Sequence, residues 1–366
     1  MKWVCEEMLN HPSPFHMKIE ELHTKKLKAF QQAFCWHYNN CSYYRRYCDQ
    51  VGIKPNDIKR YDDLVKIPLI PSDAFREFKI FSVPEENIVL TLTSSTTTSK
   101  EPCKFPLDGA SLRRMMVSNA VDHREVGGLR DGSIFMLTPH PKKSKIGLVT
   151  GFYKMIKAMG FKDEDIYFLK EGSDFRKLVR DLTSEDVKRP RHLYGPTFIY
   201  PHLLNYLEKN NIRPRLDEGS RVMMGGGWKG REGKLSKADL YKRLSTVFGI
   251  SENQIRDTYG ITDIQVGMIE CEYHKTHVPP WIHLSARDPQ DLNREVGEGE
   301  EGVLACMSSL IQSYPAFTLP GDVGVVWEEK CDCGRTGQIV EHRGRVRTSG
   351  ARGCALRLED FVKSIG

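Results

Sequence analysis

The pattern of apolar and polar residues changes twice along this chain. Over residues 18–30 apolar side chains recur at helical spacing, and the whole N-terminal segment is predicted to be helical. In the middle of the chain, helical patterns alternate with short apolar runs typical of strands. The helical patterns cover residues 111–121, 147–159 and 200–208, and the strand-like runs begin at residues 88, 133, 191 and 221. This alternation indicates an α/β sheet.

Beyond residue 260 the pattern becomes a series of short strand-like segments separated by turns rich in glycine, proline and aspartate. The clearest segments are residues 281–284, 302–307 and 322–327. Such a series is typical of a small β-rich subdomain. The chain is therefore predicted to have four parts, namely a helical segment over 1–75, an α/β core over 76–264, a β-rich subdomain over 265–345 and a short tail over 346–366.

Composition adds limits to this picture. Apolar residues make up 39% and charged residues 28% of the chain, as in ordinary soluble globular proteins. The formal net charge of +6 suits an anionic ligand such as ATP, but the absence of a dense lysine and arginine block argues against nucleic acid as a partner. Because neither a long apolar run nor a signal peptide is evident in the sequence, we expect a cytoplasmic protein without a membrane span.

An unbroken row of hydroxyl side chains follows the strand-like run that begins at residue 88. The row extends from Thr93 to Ser99 and ends at Lys100. Hydroxyls, backbone N–H groups and a lysine at the end of a strand suit the oxygens of a polyphosphate. Hydroxyl side chains also stabilise ordinary turns, so the same row is typical of a solvated surface loop.

Two later segments carry groups that could bind a nucleotide. The triple glycine Gly225, Gly226 and Gly227 would let the backbone approach a flat ligand closely, although it would serve a plain turn equally well. Further on, Tyr259 could stack on a base, and the nearby Asp263 could hold a divalent cation.

Two more segments carry charge near the end of the chain. Asp322 lies in a segment predicted to be a turn, where its carboxylate would suit the hydroxyls of a ribose. Residues 342–345 contain two arginines around a glycine and are predicted to form a basic turn. Neither segment identifies a nucleotide site by itself.

In this order and at these separations, the segments resemble the adenylate-forming, or acyl-AMP ligase, superfamily. They are most similar to its acyl-protein synthetase branch, the LuxE-like enzymes of bacterial luminescence operons, and are related to phenylacetate–CoA ligases. The resemblance covers nearly the whole chain, from residues 42–46 and 67–75 onward. It is most specific at the hydroxyl row and at residues 225–229, 259–263 and 353–360.

The resemblance implies an α/β fold. The chain would be the N-terminal core of an adenylate-forming enzyme, with a helical start, mixed α/β sheets and a small zinc-bearing β subdomain. The large mobile C-terminal domain of the superfamily is expected to be absent or vestigial, because few residues follow Arg345 in this sequence.

The resemblance also implies an activity, namely the ATP-dependent activation of a fatty or aryl carboxylic acid to an acyl-adenylate. Pyrophosphate would leave, and a thiol would then take the acyl group. The expected acceptor is Cys354, a partner protein, or CoA or a carrier. Arg352 and Arg357 would favour the thiolate of Cys354, although a buried inert cysteine is the alternative interpretation. LuxE-like proteins work with acyl-transferring or acyl-reducing partners, and the sequence leaves the oligomeric state open.

Roles for individual residues follow from the same resemblance. The phosphates would be held by Ser94, Ser95, Thr96, Thr97 and Thr98. The adenine would be flanked by Gly225, Gly226, Gly227 and Tyr259, with Gly260 and Thr262 in the same nucleotide-binding set. Asp263 would hold Mg²⁺, with Thr98 touching the metal. The ribose would be bound by Asp322 and Arg345. A catalytic cation would come from Lys229 or Lys100.

The hydroxyl row departs from the family pattern, which has glycine where Thr96 and Ser99 stand. Loss of glycine restricts positive φ and hinders close backbone approach, so phosphate binding would be weakened or altered. Asp263 also replaces the usual glutamate, with a shorter reach and the same charge. These departures support a rival interpretation, a non-catalytic, zinc-stabilised binding protein that kept the fold. Among enzymes, the rival interpretation is a CoA ligase that acts on an aryl acid.

Ten cysteines are present, and three of them stand out with two histidines as potential zinc ligands. Cys271 precedes His274 and His277, and Cys331 and Cys333 follow about fifty residues later. Two sulfurs close together with an upstream Cys/His pair are typical of a tetrahedral Cys₃His zinc site. The family resemblance favours His277 over His274. With four protein ligands the metal would be structural.

Overall fold

Three helices form the predicted helical start, which is confirmed in a computed structural model of the protein. They are α1 (Cys5–Leu9), α2 (Ile19–Asn40) and α3 (Ser42–Val51). On α2 the buried residues Leu22, Ala29, Phe30 and Ala33 recur at helical spacing, so one face of the helix packs against the core. The structure describes residues 2–94, 102–143, 147–170, 174–227 and 235–345, and in residues 147 and 148 only the backbone.

The chain groups into two compact units. The first consists of Met1–Ser118, Ile261–Val266 and His277–Gly366, and the second of Asn119–Gly260 and Gly267–Thr276. The four parts predicted from the sequence remain a prediction.

The second unit contains the predicted alternation of strands and helices. Its strands are β4 (Ser133–Met136), β5 (Ile166–Phe168), β6 (Arg191–Pro196), β7 (Val222–Gly225) and β8 (Ile255–Ile261). Its helices are α6 (Gly147–Ala158), α7 (Phe175–Thr183), α8 (Tyr200–Lys209) and α9 (Lys237–Phe248), and α5 (Gly109–Glu125) precedes them. The strands pair in parallel in the order β8, β7, β6, β4, β5. All their carboxyl ends therefore meet at one edge, where α/β sheets bind ligands.

Leucine-rich faces of the helices fill the core of this unit. Leu178 and Leu182 of α7, Leu203 of α8 and Leu244 and Phe248 of α9 are buried in one cluster. Two short strands, β9 (Val266–Glu270) and β10 (Thr276–His277), follow β8 along the chain.

The first unit contains the predicted β-rich series. Its strands are β1 (Ile70–Pro71), β2 (Ile88–Thr93), β3 (Lys104–Asp108), β11 (Ile282–Arg287), β12 (Glu301–Ser308), β13 (Phe317–Leu319), β14 (Asp322–Glu328) and β15 (Gln338–Arg345). Helix α4 (Ala74–Glu77) follows β1. The order is β1, β13, β12, β14, β15, with β11 on β12, while β2 and β3 form a separate antiparallel pair.

One turn prediction in this unit is wrong. Residues 342–345 belong to β15, where Arg345 lies opposite Asp322 and His342 lies opposite Gly324. A shift in register between Val323 and Gly324 accommodates the extra residue. A bulge of this kind keeps a segment of turn-like composition in a sheet.

In the described part of the chain, no helix has both the length and the apolar character that crossing a membrane requires.

The first unit buries a lysine, Lys26 of α2, which is 1% exposed. Its Nζ donates a hydrogen bond of 3.0 Å to Oε1 of Gln338. Gln338 also pairs with the backbone of Leu284, accepting at Oε1 and donating from Nε2. Burial lowers the pKa of Lys26 to about 8, although the charge of Glu328 raises it in part.

We expect Lys26→Met to stabilise the protein at pH 7 and to flatten its pH dependence. The folded-state pKa lies below the usual lysine value of about 10.4, so the unfolded chain binds more protons between those values. The free energy of unfolding of the wild type should therefore rise with pH from about 8 to 10.4, by at most about 1.4 kcal/mol per pH unit. Urea denaturation across this range measures the slope. Lys28→Met replaces a lysine on the exposed side of α2 and serves as the control. It should leave the slope of the free energy of unfolding against pH unchanged.

Candidate functional site

The candidate active site is described within each unit in turn, beginning with the acidic residues of the first. Asp263 lies in the turn after β8 and is 7% exposed. Its carboxylate accepts a hydrogen bond from the hydroxyl of Ser72, and its backbone carbonyl accepts one of 2.9 Å from the hydroxyl of Tyr314. Ser72 is itself fixed, because its N–H and hydroxyl both lie 3.2 Å from the carbonyl of Leu319.

Burial raises the pKa of Asp263 to about 6, and the negative charge of Asp322 adds to this effect. The Ser72 hydroxyl and the charge of Arg345 act in the opposite direction. A buried carboxylate near a second acid is stabilised by a cation, and carboxylates are the ligands that Mg²⁺ uses in proteins. The donor set therefore fits a divalent cation.

Asp322 begins β14 directly after Gly321, whose φ of +78° allows the tight turn from β13. Nε of Arg345 lies 3.1 Å from Oδ1 of Asp322, and Nε2 of His342 lies 3.8 Å from the same atom. Asp322 is buried, whereas 60% of the Arg345 side chain is exposed. The two residues predicted to bind a ribose are thus paired with each other, close enough to Asp263 to influence its pKa.

The hydroxyl row begins at a hydrogen-bonded pair of residues. Ser94 follows β2, its N–H donates a hydrogen bond of 3.1 Å to the carbonyl of Cys103, and its Oγ accepts one of 3.1 Å from the N–H of Cys103. These two bonds tie the chain before residue 95 to the chain after residue 102. The predicted site residues Ser95, Thr96, Thr97, Thr98 and Lys100 lie outside the described residues, as do Lys229 and Cys354.

The predicted adenine-binding residues of the second unit lie at the carboxyl ends of its parallel strands. Gly225 ends β7, and Tyr259 and Gly260 lie near the end of β8. A Cβ on Gly225 would come within 3.2 Å of the Thr258 carbonyl oxygen, so a larger residue would fit only if its neighbours shifted by a few tenths of an ångström. Gly226 and Gly227 have φ of +76° and +55°, values that side chains disfavour.

Three residues had no role predicted from the sequence, namely Ser72 and Tyr314, which contact Asp263, and Arg76, which follows Ser72 by four residues. Ser72 and Arg76 lie in or beside residues 67–75, a segment that carried the family resemblance without an assigned role. The family resemblance of that segment was the signal that could have indicated Ser72 and Arg76. No local pattern indicated Tyr314, which contacts Asp263 from 51 residues away.

A candidate metal centre lies in the first unit. The ligand atoms of His277, Cys331 and Cys333 are within 4.8 Å of one another, and Nε2 of His277 lies 3.3 Å from Sγ of Cys333. Two ligands of a tetrahedral zinc ion would lie about 3.5 Å apart at ordinary bond lengths. Nδ1 of His277 is buried without a hydrogen-bond partner among the described residues. The spacing and chemistry of these ligands fit zinc.

Cys271, the fourth predicted ligand, is counted with the second unit, where it forms a turn of its own. Its N–H donates to the carbonyl of Lys275, and its carbonyl accepts from the N–H of His274. Cys331 makes the equivalent bonds with Arg335 and Gly334. The two turns thus share one hydrogen-bond pattern, which nothing in their sequences revealed.

His274, the alternative ligand, lies beside a buried carboxylate. It has a φ of +57° in its turn, and its Nδ1 lies 3.6 Å from Oε2 of the buried Glu270. Tyr241 donates a hydrogen bond of 2.8 Å to the same carboxylate oxygen. These contacts favour His277 as the metal ligand.

Comparisons with known proteins identify the family of this chain. The model of the family described as acyl-protein synthetase, LuxE, matches residues 4–362. A long-chain-fatty-acid–luciferin-component ligase of Aliivibrio fischeri is 28% identical over 361 residues, which are 98% of this chain and 94% of that protein. A phenylacetate-coenzyme A ligase of Thermus thermophilus is 30% identical over 352 residues, covering 88% of this chain and 71% of that protein.

A solved structure shows a similar fold. The open conformation of 2-hydroxyisobutyryl-CoA ligase, in complex with 2-HIB-AMP and CoA, matches with a TM-score of 0.72 and 18% identity over 91% of this chain and 77% of that one. This likeness confirms a mixed α/β fold resembling adenylate-forming enzymes. The absence of a C-terminal domain stays a prediction.

Proposed function

Because the chain belongs to the LuxE family of acyl-protein synthetases, we propose that it activates a long-chain fatty acid with ATP and passes the acyl group to a thiol. Its enzyme class is that of the ATP-dependent acid–thiol ligases. The fatty acid is inferred from the name of the Aliivibrio fischeri relative, which is similar over almost its whole length. The observation that carries the proposal is this whole-chain match together with the buried Asp263 near the Asp322–Arg345 pair.

The proposed reaction has two steps. A carboxylate oxygen of the acid attacks the α-phosphorus of ATP, the bond to the β-phosphate oxygen breaks, and pyrophosphate leaves. A thiolate then attacks the acyl carbon, and AMP leaves with the bonding electrons. In the first step an anion approaches a polyanion, so preorganised positive charge and hydrogen-bond donors lower the barrier.

We assign the first unit's acidic group to this first step. Asp263, held by Ser72, would bind Mg²⁺, which when bound neutralises phosphate charge. Asp322 would accept hydrogen bonds from the ribose hydroxyls, and the exposed Arg345 would hold its carboxylate in place. A cytoplasmic location is part of this proposal.

The glycine segment of the second unit would receive the adenine. Backbone at Gly225, Gly226 and Gly227 lacks side chains that would block a flat base, and Tyr259 would stack on it. Gly260 and Thr262 would complete the nucleotide-binding set. The hydroxyl row beginning at Ser94, together with Lys100 or Lys229, would bind the phosphates.

We further propose that Cys271, His277, Cys331 and Cys333 together bind one structural zinc ion. The proposal rests on the cluster in the described residues and on the matching turns at Cys271 and Cys331. With four protein ligands, no coordination position is left for a substrate. The ion would therefore stabilise the fold and take no part in acyl transfer.

Carboxylate-dependent exchange of labelled pyrophosphate into ATP tests the first step. The purified protein is assayed with a panel of long-chain, short-chain and aryl acids. Exchange that depends on a long-chain acid supports the proposal, and exchange with phenylacetate alone supports an aryl–CoA ligase, the activity named for the Thermus thermophilus relative. No exchange with any acid, with or without candidate partner proteins, would favour the non-catalytic binding protein.

The acceptor is tested by Cys354→Ser. If Cys354 takes the acyl group, the variant keeps acid-dependent exchange but accumulates no protein-bound acyl label that hydroxylamine releases, because a thioester needs the thiol. Mass spectrometry of the labelled protein measures this. Cys35→Ser, which replaces an exposed cysteine, serves as the control and should label like the wild type. Full labelling of Cys354→Ser would assign the acceptor to another thiol.

A further inference from the structure

A short turn of the first unit contacts Asp263 through Ser72 and contacts Cys103, the hydrogen-bonded partner of Ser94, through Arg76. It begins at Ser72, which donates to Asp263, and continues into α4. Phe75 of α4 is 2% exposed, and its ring centroid lies 5.1 Å from that of Phe105 and 5.4 Å from that of Tyr314. Because this ring is fixed in the core, the position of the next residue, Arg76, is fixed as well.

The half-buried guanidinium of Arg76 lies next to Cys103, at the start of the hydroxyl row. Its Nη2 lies 3.7 Å from Sγ of Cys103, the residue that is hydrogen-bonded to Ser94, and 3.0 Å from Oδ1 of Asp73. The Arg76 side chain is 23% exposed, whereas that of Asp73 is 58% exposed. An ion pair with so exposed a partner is weak, so Asp73 can yield to a stronger anion.

The charges of Arg76 and Asp263 act on the same thiol. Burial raises the pKa of Cys103, the charge of Arg76 lowers it, and the charge of Asp263 raises it. Both charges therefore lie near enough to Cys103 to influence its pKa.

We propose that Arg76 is a phosphate-binding residue that contributes fixed positive charge to the triphosphate of ATP. This inference rests on the proposed function. A guanidinium binds phosphate oxygens through paired N–H donors and keeps its charge at every physiological pH. Arg76 would thus supplement the divalent cation at Asp263.

Steady-state kinetics of the exchange reaction tests this role in the full-length protein. We expect Arg76→Met to lower kcat/KM for ATP by about a hundredfold while leaving KM for the carboxylic acid near the wild-type value. Arg76→Lys keeps the charge and should recover part of the loss. Asp73→Asn is the matched control, because it removes the same ion pair but keeps the cation, and it should stay within about threefold of the wild type.

Thermal unfolding with and without Mg²⁺–ATP separates binding from folding. The nucleotide should raise the melting temperature of the wild type and of Asp73→Asn, and raise that of Arg76→Met much less. If Arg76→Met is unfolded, Arg76→Lys and Arg76→Gln replace it, and the expected order of ATP affinity is Lys above Gln.

The outcomes distinguish this inference from the proposed function. An active wild type with an equally active Arg76→Met would overturn the role of Arg76 alone. Equal losses of activity in Arg76→Met and Asp73→Asn would also overturn the role of Arg76, because loss of the ion pair would then explain both. A folded wild type that shows neither exchange nor an ATP-dependent shift would overturn both.

Discussion

Replacing Asp263 with asparagine should abolish most of the carboxylate-dependent exchange between pyrophosphate and ATP, with a loss of at least about a hundredfold. Asparagine has the same shape and can still accept the Ser72 hydroxyl, but it has no charge to hold a divalent cation. The exchange assay at saturating Mg²⁺, with the acid that gives the highest wild-type rate, measures the effect.

The same variant should not be less stable than the wild type. Burial raises the pKa of Asp263 to about 6, above the usual aspartate value of about 3.9, so folding disfavours its charged form. The stability of the wild type should therefore fall as the pH rises from about 3.9 to 6. Asp263→Asn removes this penalty, and its melting temperature at pH 7 should equal or exceed that of the wild type.

Asp62→Asn provides the control, because it removes an exposed carboxylate of the same unit. It should change neither exchange nor melting temperature. An Asp263→Asn variant that is active would refute the assignment of Asp263 as the cation ligand. One that is inactive only because it is unfolded would place Asp263 among the structural residues instead.

Loss of the metal centre should have the largest effect on stability. Cys331→Ser removes a thiolate ligand from the cluster of His277, Cys331 and Cys333, and the remaining ligands would bind zinc much more weakly. Because a structural zinc ion contributes directly to folding, we expect the melting temperature to fall by roughly 10 °C or more. Elemental analysis should find one zinc per wild-type chain and little in the variant.

Cys35→Ser is the matched control, since this cysteine is exposed and lies outside the cluster. It should retain zinc and melt like the wild type. Prolonged treatment of the wild type with a strong chelator should reproduce the effect of Cys331→Ser. A wild-type protein that is purified without zinc and gains no stability when zinc is added would contradict the proposal.

The two variants also distinguish a catalytic role from a structural one. Asp263→Asn is expected to lose activity and keep its stability, whereas Cys331→Ser is expected to lose both. If zinc instead served the reaction, partial metal removal would reduce exchange before the fold was lost. Stepwise removal of zinc, with the exchange rate and the circular dichroism signal measured at each step, distinguishes these cases.

The sequence by itself determined the kinds and order of the elements. Helices over residues 111–121 and 200–208 and strands at 133, 191, 302 and 322 are confirmed, because periodicity is a local property of the chain. The family was likewise evident from motifs such as the glycine triple and residues 259–263. The paired cysteines at 331 and 333 indicated one side of a candidate metal centre, because close ligand spacing is also local.

In one segment, strand pairing overrode the structure that composition favours. Residues 342–345 have the glycine and arginine content of a turn, yet they continue β15 opposite β14. The bulge that allows this depends on the partner strand, which no local pattern encodes. Tertiary pairing, not propensity, therefore decided this segment.

Only the tertiary structure decided how the site is held. Ser72 and Asp263, which share a hydrogen bond, are 191 residues apart in sequence, and Arg76 and Cys103, whose side chains contact each other, are 27 residues apart. The family resemblance already favoured His277 over His274 as a metal ligand, and the structure adds their neighbours, Cys333 beside His277 and Glu270 beside His274. Such contacts arise when distant segments share one core. A sequence specifies them through the whole fold, so they cannot be read from any one segment.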